Sequence, residues 1–437
     1  MRPRRRPLRV VIVSRAVAPL HGFGGLERSV ADLSRHLVRA GVHVTLVTPP
    51  PASPRQDDAG SAPLLEGIPL RHVPYLTFPG ANRRGTTILD RGSAYLLFGH
   101  RAGRLAARLA ADGGADVVHG FGASALGYVA PAARGGVPPL VLNPQGLEEF
   151  GASGALSVWK KLGYAPLRQA VRRVARAADA IIATDHALEP VVQRHLQPKP
   201  EQLWTIPNGL DVVRVQGLAG PADGARVRQS HGLAADATVF LSVGRLEFNK
   251  GFDVLAAALA RMPAGTLQQA SPWHWVIVGA GPYRRALERA VAAHGLEQNV
   301  LWAGRVPEAE LHAWYEAASL FVHPTRYEGS SLVTLEAMAH GRPVVATRAG
   351  GLPDKVRPGI NGWLADPGDP QALAVAIRGA LAERAAWPAR GAAGRDIVAR
   401  EFAWPVLAER HVALYHALID RRQAPEPGGA ARTGGQR

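Results

Sequence analysis

Short apolar runs alternate with helical stretches in two separate series along this chain, and that alternation restricts its fold more than any other feature. "LRVVIV" (Leu8–Val13) has the length and composition of a strand buried on both faces. A glycine-bearing loop, "HGFGG" (His21–Gly25), follows it. Leu26, Val30, Leu33 and Leu37 then recur at helical spacing, and Gly41 closes the helix. "VHVTLV" (Val42–Val47) reads as the next strand; "ADVVHGFG", "PPLVLNPQG" and "ADAIIAT" each read as a strand running into a loop. A second series opens at Ala237 with "TVFLSVG", "WVIVGAG", "VLWAGRV", "LFVHPT" and "PVVAT". Helical stretches separate these strands near Phe252–Met262, Tyr283–His294, Glu308–Ala318 and Ser331–His340. Such alternation builds parallel, doubly wound sheets, so two series imply two Rossmann-like α/β domains. Ligands of such sheets sit at strand C-terminal ends, which here means the cleft between the domains. The N-terminal domain is expected over 1–207 and the C-terminal one over 208–401. Pro49–Pro69 is expected to be a surface loop, and 421–437 a disordered tail.

Composition narrows the function classes. Lys and Arg number 51 against 35 Asp and Glu, a net charge of +16, which favours anionic partners or reflects a coding bias toward Arg, Ala, Gly and Pro. Cysteine is absent, excluding disulfides and thiol catalysis. The basic start "MRPRRRPLRVVIVSR" carries only five apolar residues, Leu8 and Val10–Val13, before Ser14, too few for a signal-peptide core. "VVHGFGASALGYVAPAA" (Val117–Ala133) is too short and irregular to span a bilayer. A cytoplasmic protein is expected.

The segment "RYEGSSLVTLEAMAHGRPVVATRAGG" (Arg326–Gly351) sets Glu328 and Glu336 on either side of a Gly-Ser-Ser turn. "LFVHP" reads as a strand, "TRYEGSS" as a loop and "LVTLEAMAH" as a helix capped by Ser330 or Ser331. Free N–H groups at a helix start can cradle an anion, here across Gly329, Ser330, Ser331 and Leu332. A carboxylate accepts two hydroxyl donors at once, as a vicinal diol offers. Two carboxylates flanking a phosphate cradle suit a diphosphate with a diol at each end, which is a nucleotide sugar. The plainer reading is a capping carboxylate and a salt-bridged helix residue. "LSVGRLEFNKGFDVL" (Leu241–Leu255) adds Arg245 and Lys250 just past a strand end, where both cations suit phosphate oxygens.

Other chemistries lack their residues. There is no Asp-x-Asp for a metal-dependent sugar transferase, and no HExxH or ligand-spaced histidines. "GASALG" is not a nucleophile elbow, and "GAGPYR" lacks the third glycine of a dinucleotide fingerprint. No metal or cofactor is expected.

Together these segments resemble the family-4 retaining glycosyltransferases, which have the two-domain GT-B fold. "EGSSLVTLE" is similar to that family's Glu-x7-Glu signature. "GRLEFNKG", "IPNGLD", "VGAGP", "AGRVPEAEL" and "GLPDKVRPGINGWLADPGD" match its pattern in order, and "GFGGLERSV" and "DVVHGFG" match more loosely. The resemblance implies that Arg245 and Lys250 hold the donor diphosphate, Glu336 the ribose and Glu328 the transferred sugar. Backbone amides of Gly329–Leu332 would touch phosphate and sugar. Gly24 and Gly25 would let the N-terminal loop approach the reaction centre. Many family members carry His-x-His after the strand that here reads "HGFG". His119 is then a catalytic candidate at the first place, with Phe121 at the second; its other reading is a hydrogen bond within the strand end.

The acceptor is expected to be lipid-linked, an envelope polysaccharide or a small glycoside. Within Asn143–Ala180, Lys160, Lys161, Arg168, Arg172, Arg173 and Arg176 accompany an apolar set of Trp159, Leu162, Leu167, Val171 and Val174. Such a segment suits docking on the anionic inner face of the plasma membrane, or else packs on the core with a solvated basic face. A nucleotide-sugar epimerase of the same fold is the second enzyme reading. A nucleic-acid-binding protein is the third; no aromatic-rich basic stacking motif supports it, so no nucleic acid is expected. The final helix, "FAWPVLAERHVALYHALI", is similar to the family's terminal helix, which over 402–420 would cross back to the N-terminal domain.

Overall fold

The computed structural model describes residues 6–22, 24–51, 65–76, 87–151, 158–262 and 272–423. The basic start at 1–5, most of the expected proline-rich loop (52–64) and the tail from 424 onward lie outside these residues.

Two parallel sheets organise the chain. The first holds β1 (Arg9–Val13), β2 (His43–Thr48), β3 (Leu70–His72), β4 (Val117–Phe121), β5 (Leu140–Asn143), β6 (Ala180–Ala183) and β7 (Leu203–Thr205), in the order β3-β2-β1-β4-β5-β6-β7. The second holds β8 (Thr238–Val243), β9 (Trp273–Val278), β10 (Val300–Gly304), β11 (Leu320–His323), β12 (Val344–Thr347) and β13 (Gly362–Ala365), in the order β10-β9-β8-β11-β12-β13. Both orders reverse at a switch point, between β1 and β4 in one sheet and between β8 and β11 in the other. A ligand crevice opens at such points.

Alternating side chains feed a core on each face of both sheets. Val11 and Val13 point into one core and Val10 and Ile12 into the opposite one. Val239 and Leu241 oppose Phe240 in the same way on β8. The helix α1 (Gly25–Arg39) buries Val30, Leu33 and Leu37, the stripe its spacing implies. Gly41 follows at φ +81°, a left-handed conformation that suits glycine after a helix end.

The last helix, Trp404–Gln423, lies on the first sheet rather than the second. Trp404, Leu407 and Leu418 join Val10, Ile12 and Leu37 in one core. Fully buried apolar side chains contribute on the order of 2 kcal/mol each, whereas the exposed Arg422–Asp179 pair adds up to about 1. The apolar face therefore fixes this helix. It runs through Gln423, so residues 421–423, expected in the tail, are helical.

Three edge strands, Leu70–His72, Leu203–Thr205 and Gly362–Ala365, go beyond the sequence expectation. So does the helix Ala94–Ala111, whose small residues allow close packing. A Cβ on Gly99 would stand 2.1 Å from the Ala123 carbonyl oxygen.

Candidate active site

The second sheet's switch point brings two loops together. After β8 the chain passes Gly244 and turns through Phe248–Lys250 into Gly251, at φ +66°. A Cβ there would lie 2.0 Å from the Pro324 carbonyl, so only glycine lets this loop rest on the one after β11. Thr325 ties the two, its hydroxyl lying 2.9 Å from Asn249 O and 2.7 Å from Tyr327 O, either of which can accept its proton. Gly350, at φ +50°, backs against the Glu328 carbonyl, which a Cβ would meet at 1.7 Å.

That framework presents Glu328. Its Oε2 accepts from Lys250 Nζ at 2.6 Å and lies 2.9 Å from His323 Nε2. Burial pushes this carboxyl up, but the His323 hydrogen bond and the Lys250 charge outweigh burial and hold it at about 2. Both contacts fall on one oxygen, which leaves Oε1 for another donor. Ser331 is the N-cap of the helix Leu332–Ala339, and beside it the Ser330 hydroxyl is buried with no hydrogen-bond partner among the described residues.

Glu336 projects from the same helix and is 3% exposed. Tyr315 Oη donates to its Oε2 at 2.8 Å, while Arg28 Nη1 of α1 stands 3.6 Å from Oε1. Burial raises its carboxyl above the ordinary range despite Arg28 and Tyr315.

The other expected residues divide. Arg245 is at the same loop but not at the cluster: its side chain is 75% exposed and pairs with Glu247 at 2.9 Å. Gly24 precedes α1, where a Cβ would touch only the Glu27 carboxylate, and Gly25 faces open space. No packing among the described residues demands glycine at 25. His119 leaves the cleft altogether, which corrects its candidacy as a catalytic residue. It is fully buried, its Nδ1 lies 2.8 Å from Tyr415 Oη, and its ring stacks on Phe121 and His411. Burial and the neighbouring His411 keep it well below its ordinary value and neutral. Strand parity carries the signal: Val117, His119 and Phe121 share one face, and that face is core. His323, Tyr315 and Arg28 were missed; His323 alone had a local sign, as the polar end of an otherwise apolar strand.

A second concavity lies at the first sheet's switch point, a cavity of about 260 Å³ under the ends of β1, β4 and β5. Arg15, Arg91, Tyr95, Glu148 and Glu149 line it. Arg91 pairs with Glu148 at 3.1 Å. Arg15 lies over the Tyr95 ring at 5.4 Å and makes no ion pair among the described residues. Glu149 is 8% exposed, and burial raises its carboxyl. Gln145 and Leu147, both lining residues, hold φ of +60° and +49°, strain that non-glycine residues carry mainly at functional sites. The cavity reaches the other domain through Gly146, whose carbonyl accepts from Tyr327 Oη at 3.4 Å, one residue before Glu328.

Two Rossmann-like domains whose switch points face one cleft, one bearing an acid–cation cluster, define the GT-B class of fold. The description "Glycosyl transferases group 1" matches residues 237–383, and "Glycosyltransferase Family 4" matches 23–214. The chain is 31% identical over 387 residues to D-inositol 3-phosphate glycosyltransferase 1 of Catenulispora acidiphila, covering 85% of this chain and 87% of that protein. It is 32% identical over 266 residues, 59% of this chain and 65% of the other, to the GDP-mannose-dependent alpha-(1-6)-phosphatidylinositol monomannoside mannosyltransferase of Mycolicibacterium smegmatis. Among solved structures it resembles sucrose-phosphate synthase from Thermosynechococcus elongatus, with TM-score 0.70, 25% identity and coverage of 95% of this chain and 100% of that one. Anabaena HepE, solved with UDP and glucose, shares the fold at TM-score 0.67 and 22% identity, over 94% of this chain and 100% of that one. The protein belongs to the group 1 glycosyltransferases, family 4.

Proposed function

We propose that the enzyme transfers a sugar from a nucleoside-diphosphate sugar to an acceptor hydroxyl, retains the α configuration and uses no metal. The observation that carries this is the Glu328–Lys250–His323 cluster beside the Ser330 hydroxyl, which has no partner among the described residues, at a helix start. The diphosphate sits between Lys250 and the amides of Gly329–Leu332, where cation and helix N–H groups stabilise its growing charge. Arg245 joins by exchanging Glu247 for phosphate. Glu336 takes the ribose diol, and Glu328 Oε1 a hydroxyl of the sugar being moved. Gly25 leaves the donor room beside α1. As the bond from C1 to the diphosphate oxygen breaks, the acceptor oxygen bonds C1 from the same face. Its proton passes to the departing phosphate, and buried His119 takes no part.

The acceptor fits the cavity of the N-terminal domain. About 260 Å³ lies at the small end of ligand sites and suits one ring, not a polymer chain. Arg15, without an ion pair among the described residues, suits an anionic group, and the buried Glu149 a hydroxyl. We read the acceptor as a polyol or glycoside with one anionic group, free or as a lipid headgroup. The relatives named for D-inositol 3-phosphate and for a phosphatidylinositol mannoside support both sources. A nucleotide-release assay over UDP-, GDP- and ADP-sugars tests the reading, with inositol 3-phosphate, inositol and phosphatidylinositol vesicles as acceptors. Release should need a charged acceptor, and Arg15→Ala should raise its KM about tenfold or more, the scale of a charged hydrogen bond. Release without any acceptor, with the donor sugar epimerised, would favour the epimerase reading.

A peripheral membrane contact on the cytoplasmic side belongs to this reading. The expected amphipathic segment is in fact two helices. Leu167, Val171 and Val174 are core residues of Ala165–Ala177, whereas Val158, Trp159 and Leu162 of Val158–Gly163 are 68%, 82% and 62% exposed beside Lys160 and Lys161. No helix among the described residues is long and apolar enough to cross a membrane. Exposed aromatic and aliphatic groups with flanking lysines suit an anionic leaflet. Sedimentation with anionic vesicles should fall with salt and with Trp159→Ala, and equal partitioning into neutral vesicles would count against the contact.

A further inference from the structure

Tyr315 stands on the helix Glu308–Ala317 and is fully buried, yet its hydroxyl reaches a second helix. Its Oη donates to Glu336 Oε2 at 2.8 Å. Three rings grip the phenol. His340 stacks on it at 5.7 Å with the planes 8° apart, while Phe321 of β11 and His312 tilt against it at 5.8 and 5.6 Å. His340 is in turn fixed at both nitrogens. Its Nδ1 lies 2.6 Å from Glu316 Oε1 and its Nε2 2.9 Å from His312 Nδ1. Arg342 holds the same residue by its backbone, donating from Nε to the His340 carbonyl at 2.8 Å.

Apolar side chains could fill the same space without the cost of burying polar groups. What the paired network adds is rigidity, and with it direction. A phenol on a fixed ring donates along one line, and here that line ends on Oε2. Glu336 is 3% exposed, so keeping it charged is costly without such a donor. With Oε2 engaged inside the second domain, Oε1 is the oxygen turned toward α1 across the cleft.

We propose that Tyr315 is a positioning residue for the donor, aiming the Glu336 carboxylate at the ribose from a ring that His340 holds in line. The inference rests on the reading of Glu336 as the ribose ligand. The same hydrogen bond favours the charged form of Glu336, against burial, which disfavours it. Other charged and titratable groups face Glu336 from the elements around it. They are Arg28 of α1, Glu308 on the helix of Tyr315, His340 after its own helix, and Asp32, Asp211 and Arg214 around a small cavity. Tyr315→Phe leaves all of these in place and removes one oxygen.

Calorimetric titration of the full-length protein with UDP, GDP and ADP at several pH values tests this. Tyr315→Phe should bind the preferred diphosphate about tenfold more weakly than wild type near pH 6, the lower scale of a hydrogen bond to a charged group. Without its donor the carboxyl takes a proton at higher pH, so the gap should narrow as pH rises to about 8.5. Tyr315→Phe combined with Glu336→Gln should bind no more weakly than Glu336→Gln alone, because a residue acting through another adds nothing once that one is changed. A gap that does not vary with pH, or losses that simply add, overturns the positioning role. Glu336→Gln separates the two readings. If it binds as wild type does, the ribose assignment fails and this inference with it. If it binds more weakly while Tyr315→Phe binds as wild type does, this inference alone fails.

Discussion

Lys250 Nζ stands 2.6 Å from Glu328 Oε2, and the two residues reach each other from loops that leave adjacent strands, β8 and β11. Their side chains are 18% and 13% exposed, so the pair is screened far less than one on the surface. The contact is set by backbone, since Gly251 lets one loop lie on Pro324 and Gly350 presses on the Glu328 carbonyl. In the proposed transfer, charge placed this rigidly would meet the transition state without reorganisation, which is where electrostatic catalysis gains most.

Lys250→Ala should therefore lose about 100- to 1000-fold in kcat, the range for removing one well-placed stabiliser of developing charge. Steady-state kinetics beside a thermal melt would separate that loss from unfolding. Turnover within a few-fold of wild type in a folded variant would remove Lys250 from the mechanism.

His323 positions Glu328 and helps to keep it ionised. With the carboxyl at about 2 in the wild type, kcat/KM should show no limb from Glu328 above pH 3. In His323→Asn one of the two groups opposing burial is gone, so the carboxyl moves up from about 2 toward its ordinary range. Activity should then fall as pH drops through that higher value. A pH–rate profile of the variant parallel to the wild type would contradict the role.

His411 makes the fold sensitive to acid. It is fully buried, and burial lowers it from 6.5 to about 4. The unfolded chain binds this proton more readily, so stability rises with pH and is lost as pH falls below about 6.5. Between pH 7.5 and 5 that loss is about 2 kcal/mol from this residue. Urea titrations of wild type and His411→Gln should show the gap between them shifting in favour of the variant by about that amount at pH 5. A gap independent of pH would mean the ring is not held neutral.

Local patterns carried most of this architecture. The runs around Ile12, Leu241 and Phe321 announce central strands because both of their faces are buried, and the turn at Glu328 follows from strand, loop and helix in sequence. Edge strands such as Leu203–Thr205 have three residues and one neighbour, too little for periodicity to detect. His119 misled because a family likeness was read at its strand end, whereas the parity with Val117 and Phe121 placed it in the core. Arg28 was illegible for a different reason. It reads as a solvated helix arginine until the fold brings Glu336, some 300 positions away, to its side. Trp159 and Val171 seemed to share one apolar face; a helix break near Tyr164 separates them, and only the second is buried.

The central claim is a front-face transfer from a nucleotide sugar held by Glu328, Lys250 and Glu336. Proton NMR of the freshly formed product, in EDTA and from an α-linked donor, tests it most directly. An α linkage at an undiminished rate is the predicted result. A β linkage, or a reaction that stops until metal is restored, would contradict it.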